Sequence, residues 1–150
     1  MQPEIRYAEV TDLSGIMALH EHLHDGDSPP PTTELRNAIA DQIFEDANMN
    51  FVVGQLDDQL VAACFVCVIP NLTRSGRPYA LIENVVTHAD YRRRGIGKRV
   101  LQKALAFAWE RDCYKAMLMT SRTDPEVHAF YERCGFAAGE KHGFIARPPK

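Results

Sequence analysis

Between residues 79 and 120 the sequence places an apolar strand, a long amphipathic helix and a second apolar strand in succession. That order constrains the fold more than any other feature. Residues 79–87 (YALIENVVT) alternate as a strand does. Residues 95–111 carry apolar side chains at 96, 100, 101, 104, 105 and 108, the stripe of a helix lying on a sheet. Residues 115–120 read as a short buried strand. Strands joined through a helix run parallel, so a mixed sheet with helices packed on it is expected.

The rest of the chain supplies further elements. Residues 4–10 read as a first strand. Thr11 or Asp12 can cap a helix running to about residue 24. Residues 25–31 (DGDSPPP) form a loop, because three consecutive prolines fit neither regular element. A second helix is expected over 33–46 and strands over 50–55 and 59–70, with a turn at Asp57-Asp58. Residues 71–78 are polar and turn-rich. Asp124 followed by Pro125 reads as an N-cap and first helical position. That helix runs to about 134 and stops at Gly135, a suitable left-handed cap. One or two short strands are expected within 136–147. The order βααβββαβα, then β, predicts one α/β domain over residues 1–150.

At 150 residues and 45% hydrophobic, the chain can bury one core, which excludes wholesale disorder. No apolar run approaches the roughly 20 residues of a bilayer span. The opening MQPEIRYAEVTD carries acids where a signal peptide needs an apolar stretch. A cytoplasmic protein with no membrane partner is expected. The net charge of −3 argues against nucleic acid as a partner. Cys64 and Cys67 form C-x-x-C inside the apolar run LVAACFVCVI, where strand geometry points them to opposite faces; core packing is expected, not redox or zinc chemistry. His20, His22 and His24 lack the H-E-x-x-H spacing of a zinc protease, and no metal is expected.

The chemistry is concentrated in IENVVTHADYRRRGIGKRVL, residues 82–101. Five of the eight residues from Arg92 to Arg99 are basic, and they gather where the helix dipole favours anions. Folding gives no reason for this; a bound anion does. Main-chain N–H groups at Gly95, Ile96 and Gly97 can hold phosphate, with Arg92, Arg94 and Lys98 adding charge. A Walker loop needs an earlier glycine, where Arg92 stands, and a following Ser or Thr, where Arg99 stands. A dinucleotide fingerprint fails at Val100. A solvated basic turn is the bland alternative.

R-x-x-G-x-G after a V-V strand end resembles the pyrophosphate-binding motif of the GNAT superfamily of acyl-CoA-dependent N-acetyltransferases. Downstream, Phe130-Tyr131-Glu132-Arg133-Cys134-Gly135-Phe136 resembles that family's F-Y-x-x-x-G-F helix end, and the element order agrees over nearly the whole chain. The resemblance implies a sheet whose central parallel strands splay apart, with acetyl-CoA as cosubstrate. Main-chain groups of Val85 and Val86 would pair with the pantetheine arm, Arg92 and residues 94–98 would hold the pyrophosphate, and Tyr131 would protonate the departing thiolate. Many relatives carry Asn near Ser121, so a cofactor contact there is an expectation from position only. The motif strings look most like the branch containing glucosamine-phosphate N-acetyltransferases and also resemble aminoalkylphosphonate and polyamine acetyltransferases, which implies a small primary amine as acceptor, an amino sugar first among them. Homodimers are common among relatives.

Transfer to an amine requires the amine to be neutral, although a free alkyl ammonium has a pKa of about 10. Glu83 is the first candidate base. Two residues before Val85, it is expected on the same face, where apolar neighbours would raise its pKa; it could instead act through water or bind the ammonium. Phe130 rivals Tyr131 for the inward position, and Tyr114 and His128 are weaker candidates for the acid. A peptide N-acetyltransferase, a non-catalytic acyl-CoA-binding module and a nucleic-acid binder are the competing functions. Glu21, Asp25 and Asp27 could suit a cationic acceptor or simply face solvent.

Overall fold

The computed structural model describes residues 1–23 and 28–150. These form two compact units, Met1–Leu118 and Met119–Lys150. The first unit holds β1 (Glu4–Tyr7), α1 (Leu13–His20), α2 (Thr33–Glu45), β2 (Met49–Leu56), β3 (Gln59–Ile69), β4 (Tyr79–Thr87), α3 (Ile96–Glu110) and β5 (Ala116–Met117). The sheet order is β1-β2-β3-β4-β5. The first three junctions are antiparallel and the β4–β5 junction, spanned by α3, is parallel. The expected mixed α/β sheet flanked by helices is therefore what forms.

Strand alternation divides the core between two faces of this sheet. Beneath α3 lie Val52, Cys64, Val66 and Ile82, all buried, facing the buried stripe Val100, Leu101, Ala104, Phe107 and Ala108. On the opposite face Phe51, Val53, Ala63 and Val86 cluster with Ile16 and Leu19 of α1, and Ile43 and Phe44 of α2 pack against them. Gly54 matters for the first face. A Cβ there would stand 3.2 Å from both Ile5 Cδ1 and Ile96 Cγ2, so glycine lets the start of α3 settle close to β2.

Four expectations need correction. β1 ends at Tyr7 rather than 10, because residues Val10–Asp12 form a 3-10 turn held from behind: Arg6 donates to both Asp12 oxygens, at 2.7 and 2.8 Å, and to Gln55 Oε1 on β2 at 2.6 Å. α1 ends at His20, with a turn over 21–23 where the expected helix continued; His24 at its expected end, and Asp25 and Asp27 of the expected loop, lie outside the described residues. β5 is two residues long instead of six, since its only ladder is the short one to β4. No strand forms within 136–147 among the described residues. Gly139 takes φ 82° there, and the small, polar run AAGEKHG lacks an apolar alternation to bury.

The second unit contains α4 (Pro125–Arg133). Asp124 stands at its N-cap position, but its carboxylate accepts from Arg122 Nε at 3.0 Å instead of capping. Gly135 takes the expected left-handed backbone at φ 96°. The bond from Phe136 N–H to the Tyr131 carbonyl, 3.1 Å, closes the helix end. No helix among the described residues is long and apolar enough to cross a membrane.

Candidate active site

Strand β4 delivers the chain to the site. Its parallel ladder with β5 consists of Ala80↔Ala116 and Leu81↔Met117 and then stops. From Ile82 to Thr87 no strand pairs with that side of β4 among the described residues. The main-chain groups of 82–86 on that side therefore have no strand partner among the described residues, the arrangement an extended ligand would need.

A bulge sits inside this unpaired stretch. Glu83 stands opposite Phe65 and Val86 opposite Ala63, so Asn84 and Val85 together oppose one residue of β3. Asn84 takes φ 53° to make the bulge. The extra residue changes the alternation. Phe65 and Ala63 share a face, so Glu83 shares its face with Val86 and not, as expected from simple period two, with Val85. Asparagine, a poor strand former that tolerates left-handed backbone, was the available sequence signal. Glu83 is half-buried, and among the described residues its carboxylate makes no hydrogen bond or ion pair.

Beyond Thr87 a 3-10 turn (Ala89–Tyr91) leads into the basic turn. Arg93 and Gly95 both adopt left-handed backbone, at φ 60° and 76°. Gly95 is the N-cap of α3 and offers no side-chain cap. Among the described residues nothing accepts from the main-chain N–H groups of Gly95, Ile96, Gly97 and Lys98; the first helical bond at this end is from Arg99 N–H to the Gly95 carbonyl. A Cβ placed on Gly95 would meet nothing within 4 Å, so there is open space above these donors. The fit to a pyrophosphate is good: a row of unspent donors at a helix N-terminus, open space, and cations beside it.

The cations divide by role. Arg92 Nε donates to the Thr87 carbonyl at 3.1 Å, which holds the arginine across the end of β4. Arg94 lies 5.2 Å from the Tyr91 ring. Arg93 and Lys98 are exposed. Arg99 does not join them, because its Nη1 donates to the Pro3 carbonyl at 2.9 Å and ties down the N-terminal segment. A cavity of about 330 Å³ adjoins the turn, between Met1–Pro3 and residues 94–96.

His22 packs on His88 with ring centroids 4.3 Å apart, a contact the sequence reading missed. His88 Nδ1 in turn accepts from Asp90 N–H at 3.3 Å. No group of three or more potential metal ligands occurs among the described residues. The four cysteines are free thiols, and burial pushes the Cys64 thiol up to about 12. In the second unit Tyr131 is half-buried, 5.2 Å from Phe130 and 6.3 Å edge-on from Phe136, with Phe130 also half-buried. His128 Nε2 lies 2.8 Å from the Arg122 carbonyl. Ser121 is exposed in the irregular segment before α4.

A strand end without a strand partner on one side, feeding a helix start with open N–H donors and flanking cations, is the arrangement of an acyltransferase of the GNAT type. The Acetyltransferase (GNAT) family model matches residues 16–136, and the chain belongs to that family of acetyltransferases. A glucosamine 6-phosphate N-acetyltransferase of Trypanosoma brucei brucei is 33% identical over 140 residues, covering 92% of this chain and 91% of that one. Glucosamine 6-phosphate N-acetyltransferase 1 of Oryza sativa subsp. japonica is 32% identical over 136 residues, covering 88% and 79%. The solved structure of a putative acetyltransferase from Agrobacterium tumefaciens str. C58 has a TM-score of 0.87 at 40% identity, covering 97% of this chain and 99% of that one.

Proposed function

We propose that the protein transfers the acetyl group of acetyl-CoA directly to the primary amine of a small molecule, an amino sugar or similar amine. The observation that carries this is the row of unspent N–H donors from Gly95 to Lys98, which follows a strand whose later residues have no strand partner on one side among the described residues. The donors and Arg92, Arg94 and Lys98 hold the pyrophosphate, and the main chain at Val85 and Val86 pairs with the pantetheine arm. Together they fix the thioester along β4.

Glu83 accepts a proton from the substrate ammonium, directly or through water. The neutral amine then forms a C–N bond to the acetyl carbon while the C–S bond breaks. Tyr131 donates its phenolic proton to the leaving thiolate; the F-Y-x-x-x-G-F resemblance supports this role. Ser121 is retained as a weaker cofactor contact. We read residues 1–150 as one catalytic domain, supported by a family match over residues 16–136 that includes part of each compact unit. Four free cysteines suit a reducing compartment, and we place the reaction in the cytoplasm.

Calorimetric titration with acetyl-CoA, beside free adenosine diphosphate, tests the donor. Micromolar binding that needs the pantetheine arm is expected; absence of binding overturns the assignment. Thiol release on adding glucosamine 6-phosphate tests the acceptor class. Tyr131→Phe should lower kcat at least tenfold and leave acetyl-CoA affinity within about twofold. Equal loss in both points to a structural tyrosine.

A further inference from the structure

We infer that His88 positions the cofactor-binding turn through a hydrogen bond that only its neutral ring can accept, so that protonation of His88 releases the turn and weakens acetyl-CoA binding. This rests on the acetyl-CoA reading above and adds a proton-sensitive positioning residue to it.

His88 stands where β4 gives way to the basic turn. Its N–H donates to the Val61 carbonyl at 2.9 Å, which fixes its main chain to β3. Its side chain caps the 3-10 turn Ala89–Tyr91, with Nδ1 accepting from Asp90 N–H at 3.3 Å. An imidazole nitrogen that accepts carries no proton, so the ring proton is on Nε2. Tyr91 N–H donates to the His88 carbonyl at 2.9 Å, and Arg92 follows directly, its Nε on the Thr87 carbonyl. The Arg94 guanidinium lies over the Tyr91 ring at 5.2 Å. The course by which Arg92 and Arg94 leave the strand is therefore set at His88.

The surroundings of the ring provide a second state. Among the described residues the titratable groups in contact with it come from two places. His22, from the turn after α1, has its ring centroid 4.3 Å away. From its own turn come Tyr91, edge-on at 5.4 Å, and Asp90, whose Oδ2 lies 3.9 Å from Nδ1. A proton on Nδ1 turns the acceptor into a donor. Asp90 N–H then loses its partner, while the Asp90 carboxylate offers the ring a new one. Pairing with that carboxylate offsets the added charge, so little attraction for a pyrophosphate replaces the lost cap. Histidine side chains change charge between pH 5 and 8.

Two variants separate the parts. His88→Asn keeps an acceptor for Asp90 N–H but does not titrate. His88→Phe keeps a ring against His22 and Tyr91 but has no acceptor. Acetyl-CoA is titrated calorimetrically into each, and into the parent, from pH 8 to 5.5. The ligand's own 3′-phosphate titrates in this range, so each Kd is read relative to His88→Asn at the same pH. At pH 8 the parent should match His88→Asn within about twofold, and His88→Phe should bind about fivefold more weakly. By pH 5.5 the parent should have drifted to the His88→Phe value, while the ratio of the two variants stays constant. His22→Gln should keep the drift. A parent that tracks His88→Asn at every pH, or binds relatively tighter in acid, overturns the proposal and leaves the cofactor assignment standing. Drift lost in His22→Gln assigns the titration to His22 and overturns it too. If His88→Phe does not fold, the parent against His88→Asn decides alone. No binding by the parent at any pH overturns the acetyl-CoA reading itself, and the role of His88 falls with it.

Discussion

At the scale of single residues, Gly95 joins backbone geometry to ligand chemistry. Its φ of 76° is left-handed, and the space above its Cα is open. Gly95→Ala should lower stability by about 1 kcal/mol, through backbone strain alone, in urea denaturation. Gly95→Asp adds a negative charge beside the proposed pyrophosphate and should abolish acetyl-CoA binding by calorimetry. Gly97→Asp should do the same, and unchanged affinity in either variant sinks the phosphate assignment. Arg93 makes a similar turn without being glycine, at φ 60°, a strain of about 1–2 kcal/mol that the fold tolerates at this position.

Elements transmit such local choices. Helix α3 starts where it does partly because Gly54 leaves room for Ile96. Gly54→Ala puts a methyl group 3.2 Å from two isoleucine side chains. It should destabilise by about 1–3 kcal/mol and, by moving the first turn of α3, weaken acetyl-CoA binding as well. The join between β1 and α1 depends on Arg6 and Asp12, both largely shielded from solvent. Hydrogen bonding from Arg6 holds the Asp12 carboxyl below the usual carboxylate range, against the opposing effect of burial. Because the folded value is the lower one, the stabilisation is complete above the unfolded carboxylate pKa, about 4, and is lost as pH falls through the folded value. Asp12→Asn should therefore cost about 1–3 kcal/mol at pH 7. The gap between variant and parent should close in acid, as denaturation at stepped pH would show; a gap independent of pH would assign the loss to packing. This scale also marks how far the sequence could be read. The stripe at 96–108 and the apolar run at 60–69 are long and periodic, so α3, β3 and the parallel junction were legible. The Asn84 bulge was not, since one extra residue leaves the composition of a strand unchanged while reversing its faces.

At the largest scale, one face of the first unit's core is α3 packed against the sheet. Leu101 is fully buried there, and Leu101→Ala should lower stability by about 2–5 kcal/mol in thermal or chemical unfolding. The basic turn was legible because its charges conflict with folding alone, and the residues from Gly95 to Lys98 are where the unspent donors lie. The acceptor side was less so, because Asp25 and Asp27 lie outside the described residues. The short β4–β5 ladder has a consequence for handling the protein. Residues 82–86 are a strand segment with one side unpaired by any other strand among the described residues, the kind of surface on which a stray chain can template itself. A donor lying along that side occupies it. Acetyl-CoA should then act as a folding chaperone for its own enzyme, and protein refolded or stored with it should scatter less light over days than protein kept without.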